Sequence, residues 1–534
     1  MRKHHLPPGA GTLCLPLILG FAVSVGAQSG SANQWAWMSG SNTNGNNGYV
    51  AGIYGTLGVP SLDNSPSGRT AAATWTDNRG HLWLFGGFLT QGSQLYTMND
   101  LWEFAPETNE WTWQGGNSSP PCSIVQNNTQ CAEPGVYGTK GVPAAGNFPG
   151  GRDFAASWTD ANGKLWLYGG GGFDSIGQLG ELNDLWRFDP DTRQWTWMNG
   201  DATLPGTGYG GPGVYGTMGT PAVGNNPGGL EFAMTWPDAS GNGWIFGGWG
   251  FDVNGANGLP NNLWKFDSSL REWSWIEGTK QFGPPWIRPT VYGTVGTFAA
   301  GNVPGSRWKS AVWTAGDGHL WLFGGGGFDS PGNSGFLNEL WQYDAATNQW
   351  AWMAGQNVMQ CGPNRMNQNC GNAGVYGTRG QPAAGNLPGG RSGAVSWTGR
   401  DGHFWLMSGG GFNASGTFTT LDDFWEFDPS TKEWTWISGL KDSGPAITTY
   451  GALRVPAAGN YPGARYGAIS WTDPGGNLWL FGGNAFDANG NLGLLNDLWK
   501  YQPASAIQVL GADFTVAASG TSLTIHAGRA ERPP

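Results

Sequence analysis

Charge is scarce in this chain. Asp, Glu, Lys and Arg make up only 12% of its 534 residues, the formal net charge is −11, and no cluster of Lys and Arg occurs after Lys3. A phosphate backbone or an anionic membrane surface needs grouped cations, so nucleic acid is excluded as a partner. Apolar runs long enough to span a membrane are missing beyond the N-terminus. Cysteine is sparse at five residues. Cys14 lies in the N-terminal apolar run, and the others form two local pairs, Cys122 with Cys131 and Cys361 with Cys370. Each pair offers only two ligands with no histidine nearby, which speaks against a metal site and for two loop disulfides in an oxidising compartment.

Residues 1–27 read as a signal peptide. Arg2, Lys3, His4 and His5 form a basic start, Leu13 to Val25 an apolar core, and Val25-Gly26-Ala27 a small-residue cleavage site that leaves Gln28 first. The expected location is outside the cytoplasm, extracellular or periplasmic.

Glycine (94) and tryptophan (33) are present in excess, and both recur at fixed offsets. In the second copy of the recurring unit, four segments alternate aromatic and β-branched residues with period 2: Phe154 to Thr159, Leu165 to Tyr168, Leu185 to Asp189 and Gln194 to Met198. We call them the first to fourth strands. TDANG and DPDTRQ join first to second and third to fourth with tight-turn chemistry. The second strand begins at Leu82, Leu165, Gly243, Leu320, Phe404 and Leu478, spacings of 83, 78, 77, 84 and 74 that define units one to six. Four strands per period predict an all-β, six-bladed β-propeller of antiparallel blades over residues 28–502.

The fourth-strand tryptophan pair follows only five of the third strands, and the sixth pair is Trp35/Trp37, ahead of any first strand. The N-terminal strand is therefore expected to complete the last blade and close the ring. Residues 503–534 form a tail whose segment Asp513 to His526 alternates like the opening strands of an immunoglobulin-like domain, too few to fold alone.

A double glycine ends the second strand at Gly86-Gly87, Gly169-Gly170, Gly247-Gly248, Gly324-Gly325 and Gly482-Gly483, with Ser408-Gly409 in unit five, and an aromatic third strand and a tryptophan follow. In this the chain resembles the kelch-repeat family over roughly residues 34 to 502. The resemblance implies the propeller fold. Kelch-type propellers include copper radical oxidases acting on alcohols such as galactose, but this chain departs from their ligand set. His81, His319 and His403 all sit on the tight-turn face, and no cysteine of the mature chain is left unpaired.

Thirty of the 33 tryptophans fall on strand positions and pack sheet against sheet. Trp249, Trp286 and Trp308 do not. Antiparallel topology sends the second-to-third loops and the crossings between units to one face, and these three tryptophans with them. Each crossing runs 15 residues from a tyrosine (Tyr54, Tyr137, Tyr215, Tyr292, Tyr376, Tyr450) to Arg69, Arg152, Leu230, Arg307, Arg391 or Arg465. Arg152 and Arg307 are candidates for ligand contact at the channel mouth, against the plainer reading that these arginines pair with carboxylates. The next position differs in every unit: Thr70, Asp153, Glu231, Trp308, Ser392, Tyr466. Variation inside a regular scaffold is where a binding site is written.

The expected function is a monomeric binding or interaction module for carbohydrate or another cell-surface polymer. Trp249, Trp286, Trp308 and Tyr466 offer flat faces, and Asp153 and Glu231 accept hydroxyl hydrogen bonds. A polysaccharide-acting enzyme at the same mouth and a protein-docking scaffold or adhesin are the alternatives. No cofactor is expected. Calcium is the one ion considered, at the second-to-third loops around Asp174, Asp252, Asp329, Asn413 and Asp487, where ordinary turn chemistry is the competing explanation.

Overall fold

A computed structural model describes residues 33–504, apart from 46–47, 120–121, 123, 127–129, 206–208, 283–286, 362–369 and 443–445, together with the backbone of 514–519 and 522–527. It is an all-β structure, a multi-bladed β-propeller. In unit two the sheet order is Ala156–Thr159, Leu165–Tyr168, Leu185–Asp189, Gln194–Asn199, antiparallel throughout. Among the described residues five sheets have this plan. In a sixth, Ile469–Thr472, Leu478–Phe486 and Leu492–Tyr501 are completed by Trp35–Ser39, paired antiparallel to Leu492–Tyr501. In the tail, Phe514–Ser519 and Ser522–Ala527 pair as a hairpin. Residues 1–27 lie outside the described residues.

Aromatic strand positions become the core because each sheet buries both faces against its neighbours. Trp83, Trp166, Trp186, Trp195, Trp264, Trp273 and Trp341 are all at most 2% exposed. First-strand tryptophans also tie one unit to the next. The indole N–H of Trp75 donates to the Trp166 carbonyl at 2.8 Å, and those of Trp236, Trp313 and Trp397 reach Trp321, Trp405 and Trp479. Trp471 of unit six donates to Trp83 of unit one at 2.9 Å. Unit two is the exception. Gly243 replaces the leucine or phenylalanine that starts the second strand elsewhere, and a Cβ there would stand 2.3 Å from the Trp158 ring. Trp158 fills that space, and its indole nitrogen is buried with no partner among the described residues.

The crossings owe their constant length to the outer edge of each sheet. Ala144, Ala222, Ala299 and Ala383 bridge to Trp195, Trp273, Trp350 and Trp434 of the fourth strands, and Ala457 to Trp35. The asparagine three residues further on completes the cover. Asn147 Nδ2 donates to the Val142 and Trp195 carbonyls, and Asn386 Nδ2 to those of Gln381 and Trp434. Edge strands that would otherwise recruit another chain are thereby satisfied.

At the double glycines, or Ser408-Gly409 in unit five, the sheets of units one to five break in two, whereas in unit six the ladder runs on with a register shift between Phe481 and Gly483. Gly169 and Gly170 have φ of 62° and 94°, a conformation that costs an L side chain about 1–2 kcal/mol. Ser408 adopts it at φ 64° in unit five. Past the break the chain starts a short upper ladder on the long-loop face, in which Arg152–Asp153 pairs with Gly171–Phe173. Phe154, expected inside the first strand, is instead a junction with φ 49°. Its counterparts Ala71, Phe232, Lys309, Gly393 and Gly467 are left-handed too. The reason is a circuit of peptide hydrogen bonds. Phe154 N–H donates to Ala71, Phe232 to Phe154, Lys309 to Phe232, Gly393 to Lys309, Gly467 to Gly393 and Ala71 to Gly467, at 3.0 to 3.4 Å.

Candidate functional site

The upper ladders hold the position that varies between units, and their register decides what faces it. Asp153 lies across from Gly171, Glu231 from Trp249, Trp308 from Gly326, Ser392 from Gly410 and Tyr466 from Asn484. Glycine opposite a large side chain leaves room for it to lie flat: a Cβ on Gly326 would meet the Trp308 ring at 2.4 Å. A Cβ on Gly171 would stand 2.6 Å from Glu231 Oε2 and 3.2 Å from Asp153 Oδ1. Those two oxygens, from neighbouring units, are therefore within about 6 Å of each other.

A third acid joins them. Glu181, at the end of Leu179–Glu181, pairs with Gly171. Its Oε2 is buried without a hydrogen-bond partner among the described residues, and the nearby Asn257 and Trp249 side chains favour the charged form. Burial raises the carboxyl pKa of all three, Asp153 to about 7 and Glu231 to about 8, with the Asp153 and Glu181 charges adding to the rise at Glu231. Lys309 pulls the other way on Asp153 and Glu231. Its ammonium lies 4.0 Å from the Phe154 ring centre and 4.4 Å from that of Phe232, and it donates to the Tyr466 hydroxyl at 3.1 Å. Trp249 is 38% exposed beside this group.

Glu181 and Lys309 were missed in the sequence, although a signal existed for each. The residue two before the Asn/Asp pair is Thr97, Glu181, Leu259, Phe336, Thr420 or Leu494, and the residue two after the arginine position is Ala71, Phe154, Phe232, Lys309, Gly393 or Gly467. Each series contains a single charge.

Arg152 and Arg307 do not line the mouth. Arg152 is 1% exposed, with Nη1 and Nη2 at 2.7 and 2.8 Å from the Asp184 carboxylate, which also accepts from the Tyr137 hydroxyl and the Trp186 indole. Arg307 is fully buried and paired with Glu339, which also accepts from Tyr292. A guanidinium in this position neutralises a carboxylate inside the blade and donates to backbone carbonyls there. Trp286 lies outside the described residues.

The loop aspartates have turn roles. Asp174 Oδ1 accepts from Ile176 and Gln178 N–H and its Oδ2 from Leu204 N–H; Asp252, Asp329 and Asp487 accept from backbone N–H groups in the same way, and Asn413 Oδ1 from Ser415 and Thr417. Oxygens that face N–H donors are poorly placed for calcium. Cys122 is bonded to Cys131 and Cys361 to Cys370. The segments Gln130–Ala132 and Cys370–Gly371 add parallel strands to the upper ladders of units one and four. Among the described residues no helix is long and apolar enough to cross a membrane.

No family model and no curated protein matches this chain. Among solved structures it is similar to that of YjhT, with 15% identity and a TM-score of 0.44 over 89% of this chain and 99% of that one.

Proposed function

We propose that the long-loop face is a binding site for carbohydrate or another hydroxyl-rich surface polymer, centred on Trp249, Glu231, Asp153 and Glu181. The observation that carries this reading is the register of unit three, which sets Glu231 directly across from the exposed Trp249 and within reach of Asp153. A sugar ring presents an apolar face ringed by hydroxyls, and an indole beside unspent carboxyl oxygens meets both. Trp308, flat over Gly326, and Tyr466 extend the surface around the mouth. The two disulfides suit a protein that works in an oxidising compartment.

The pKa values of Asp153 and Glu231 favour one second reading, acid–base cleavage of a polysaccharide. One carboxyl protonated beside one ionised, about 6 Å apart or less, is the equipment of glycoside hydrolysis.

A glycan array probed with the purified protein and with Trp249→Ala and Trp308→Ala separates these readings. The binding site predicts retention that falls at least about tenfold in Trp249→Ala, the loss of one stacking contact worth about 1.4 kcal/mol or more. Silence of the unsubstituted protein across the array defeats it and leaves the scaffold alternative. Release of soluble sugar, abolished in Glu231→Gln while retention persists, establishes the enzyme instead.

A further inference from the structure

The opposite, tight-turn face holds a different set of ligating groups. The residue just before the second strand and the middle residue of the third are diagonal neighbours there, the latter lying across from the second residue of the second strand, and across the units they read His81 with Glu103, Lys164 with Arg187, Asn242 with Lys265, His319 with Gln342, His403 with Glu426 and Asn477 with Lys500. Histidine and glutamate meet only in units one and five. In both, a nearby aspartate brings three donor atoms within 4.8 Å of one another: Asp77, His81 and Glu103, and Asp401, His403 and Glu426.

The two clusters differ in what neutralises them. In unit one Arg79 donates to Asp77 from Nε at 3.1 Å and from Nη2 at 2.8 Å, and its Nη2 is 3.4 Å from Glu103. The Trp83 indole also donates to Asp77 Oδ2, and Gln114 Nε2 donates to Glu103 Oε2. That site contains its own cation. In unit five Gly399 takes the position of Asp77 and Asp401 that of Arg79, so the aspartate comes from a different position and no internal cation accompanies it. Among the described residues no Lys or Arg forms an ion pair with Asp401, Glu426 or Asp428; only His403 does. The cluster also borders a cavity of about 620 Å³ between units five and six, where His403, Glu426, Asp428 and Glu433 face Trp405, Pro382 and Ile437.

We propose that His403, Glu426 and Asp401 bind a divalent transition-metal ion of the zinc class, with an open coordination position toward this cavity. The donor set decides the class: one imidazole with two carboxylates suits zinc, whereas calcium and magnesium prefer oxygen alone. The geometry is close to that required. Bonds of about 2.1 Å in a tetrahedral zinc site hold donors about 3.4 Å apart. His403 Nδ1 lies 2.7 Å from Glu426 Oε1 and 3.8 Å from Asp401 Oδ2, so small side-chain rotations in opposite senses accommodate the ion. Three protein ligands leave the fourth position for water or a ligand in the cavity. Asp428 stays outside the site, since its Oδ1 caps the Ser430 turn.

The test is calorimetric titration of Zn²⁺ into the purified protein carrying no polyhistidine tag, with Co²⁺ absorption as a report of tetrahedral N/O coordination. The expected result is one Zn²⁺ per chain. Affinity should fall by at least the roughly 10–100-fold that loss of even an outer partner of a zinc ligand costs, in His403→Ala and in Asp401→Asn. Asp401 is exposed, so its variant keeps the fold intact. His81→Ala should leave the titration unchanged. Absence of Zn²⁺ binding, binding that survives both unit-five variants, or binding lost in His81→Ala overturns the assignment.

Discussion

Carboxylates occupy two regions of the long-loop half of this propeller, and the contrast between them separates scaffold from site. Beneath the rim, Asp100, Asp184, Asp423 and Asp497 are each fully buried, and each meets an arginine, a tyrosine hydroxyl and a tryptophan indole. At the mouth, Asp153, Glu231 and Glu181 pair with no guanidinium among the described residues, and burial raises their pKa instead. Unit three shows how strict the lower arrangement is. Leu230 stands where the other units have arginine, and Asn262 where they have a carboxylate, so both charges of the pair are gone together; the Asn262 amide donates to Tyr215. Losing one alone would leave an uncompensated buried charge, while losing both costs little.

That contrast can be broken most forcefully in unit five. Arg391→Leu strands the fully buried Asp423 and should cost about 3–5 kcal/mol in urea unfolding. Arg391→Leu with Asp423→Asn copies unit three and should recover most of the loss. A double variant no more stable than the single would show that unit three survives for some other reason. A smaller effect is expected at the outer edge. Asn386→Ala removes two donors from the Gln381 and Trp434 carbonyls and should cost about 1–3 kcal/mol, read by the same unfolding curves.

The smallest effect concerns the mouth itself. Because the folded-state pKa values of Asp153 and Glu231 lie above those of the unfolded chain, the native state holds more protons between about pH 4 and pH 8. Stability therefore declines as pH rises through that window. Thermal melting at pH 5 and pH 8 should show a smaller difference for Glu231→Gln than for the unsubstituted protein. An unchanged difference would mean that Glu231 is solvated like an ordinary surface acid.

The fold was legible because the periodicities are local. Alternation, turn residues and the double glycine each act within a few residues, and their repetition made the units countable. The candidate site was only partly legible. The variable positions at Asp153, Glu231 and Trp308 stood out against the repeats, but the pairing of Glu231 with Trp249 depends on where the sheet breaks after Gly247-Gly248 and restarts in a new register. Arg152 and Arg307 misled because a strand pattern gives a residue's position along the chain and not the depth to which a long side chain turns inward.

The sequence by itself determined the strands, their turns, the unit length and the chemistry available at each varying position, since all of these follow from neighbours along the chain. Tertiary structure alone decided which charges meet a partner. Arg152 found Asp184 32 residues away in its own unit, while Asp153, the very next residue, was delivered beside Glu231 of the neighbouring unit. Desolvation and pairing act through space, and only the packing of one unit on the next sets those distances.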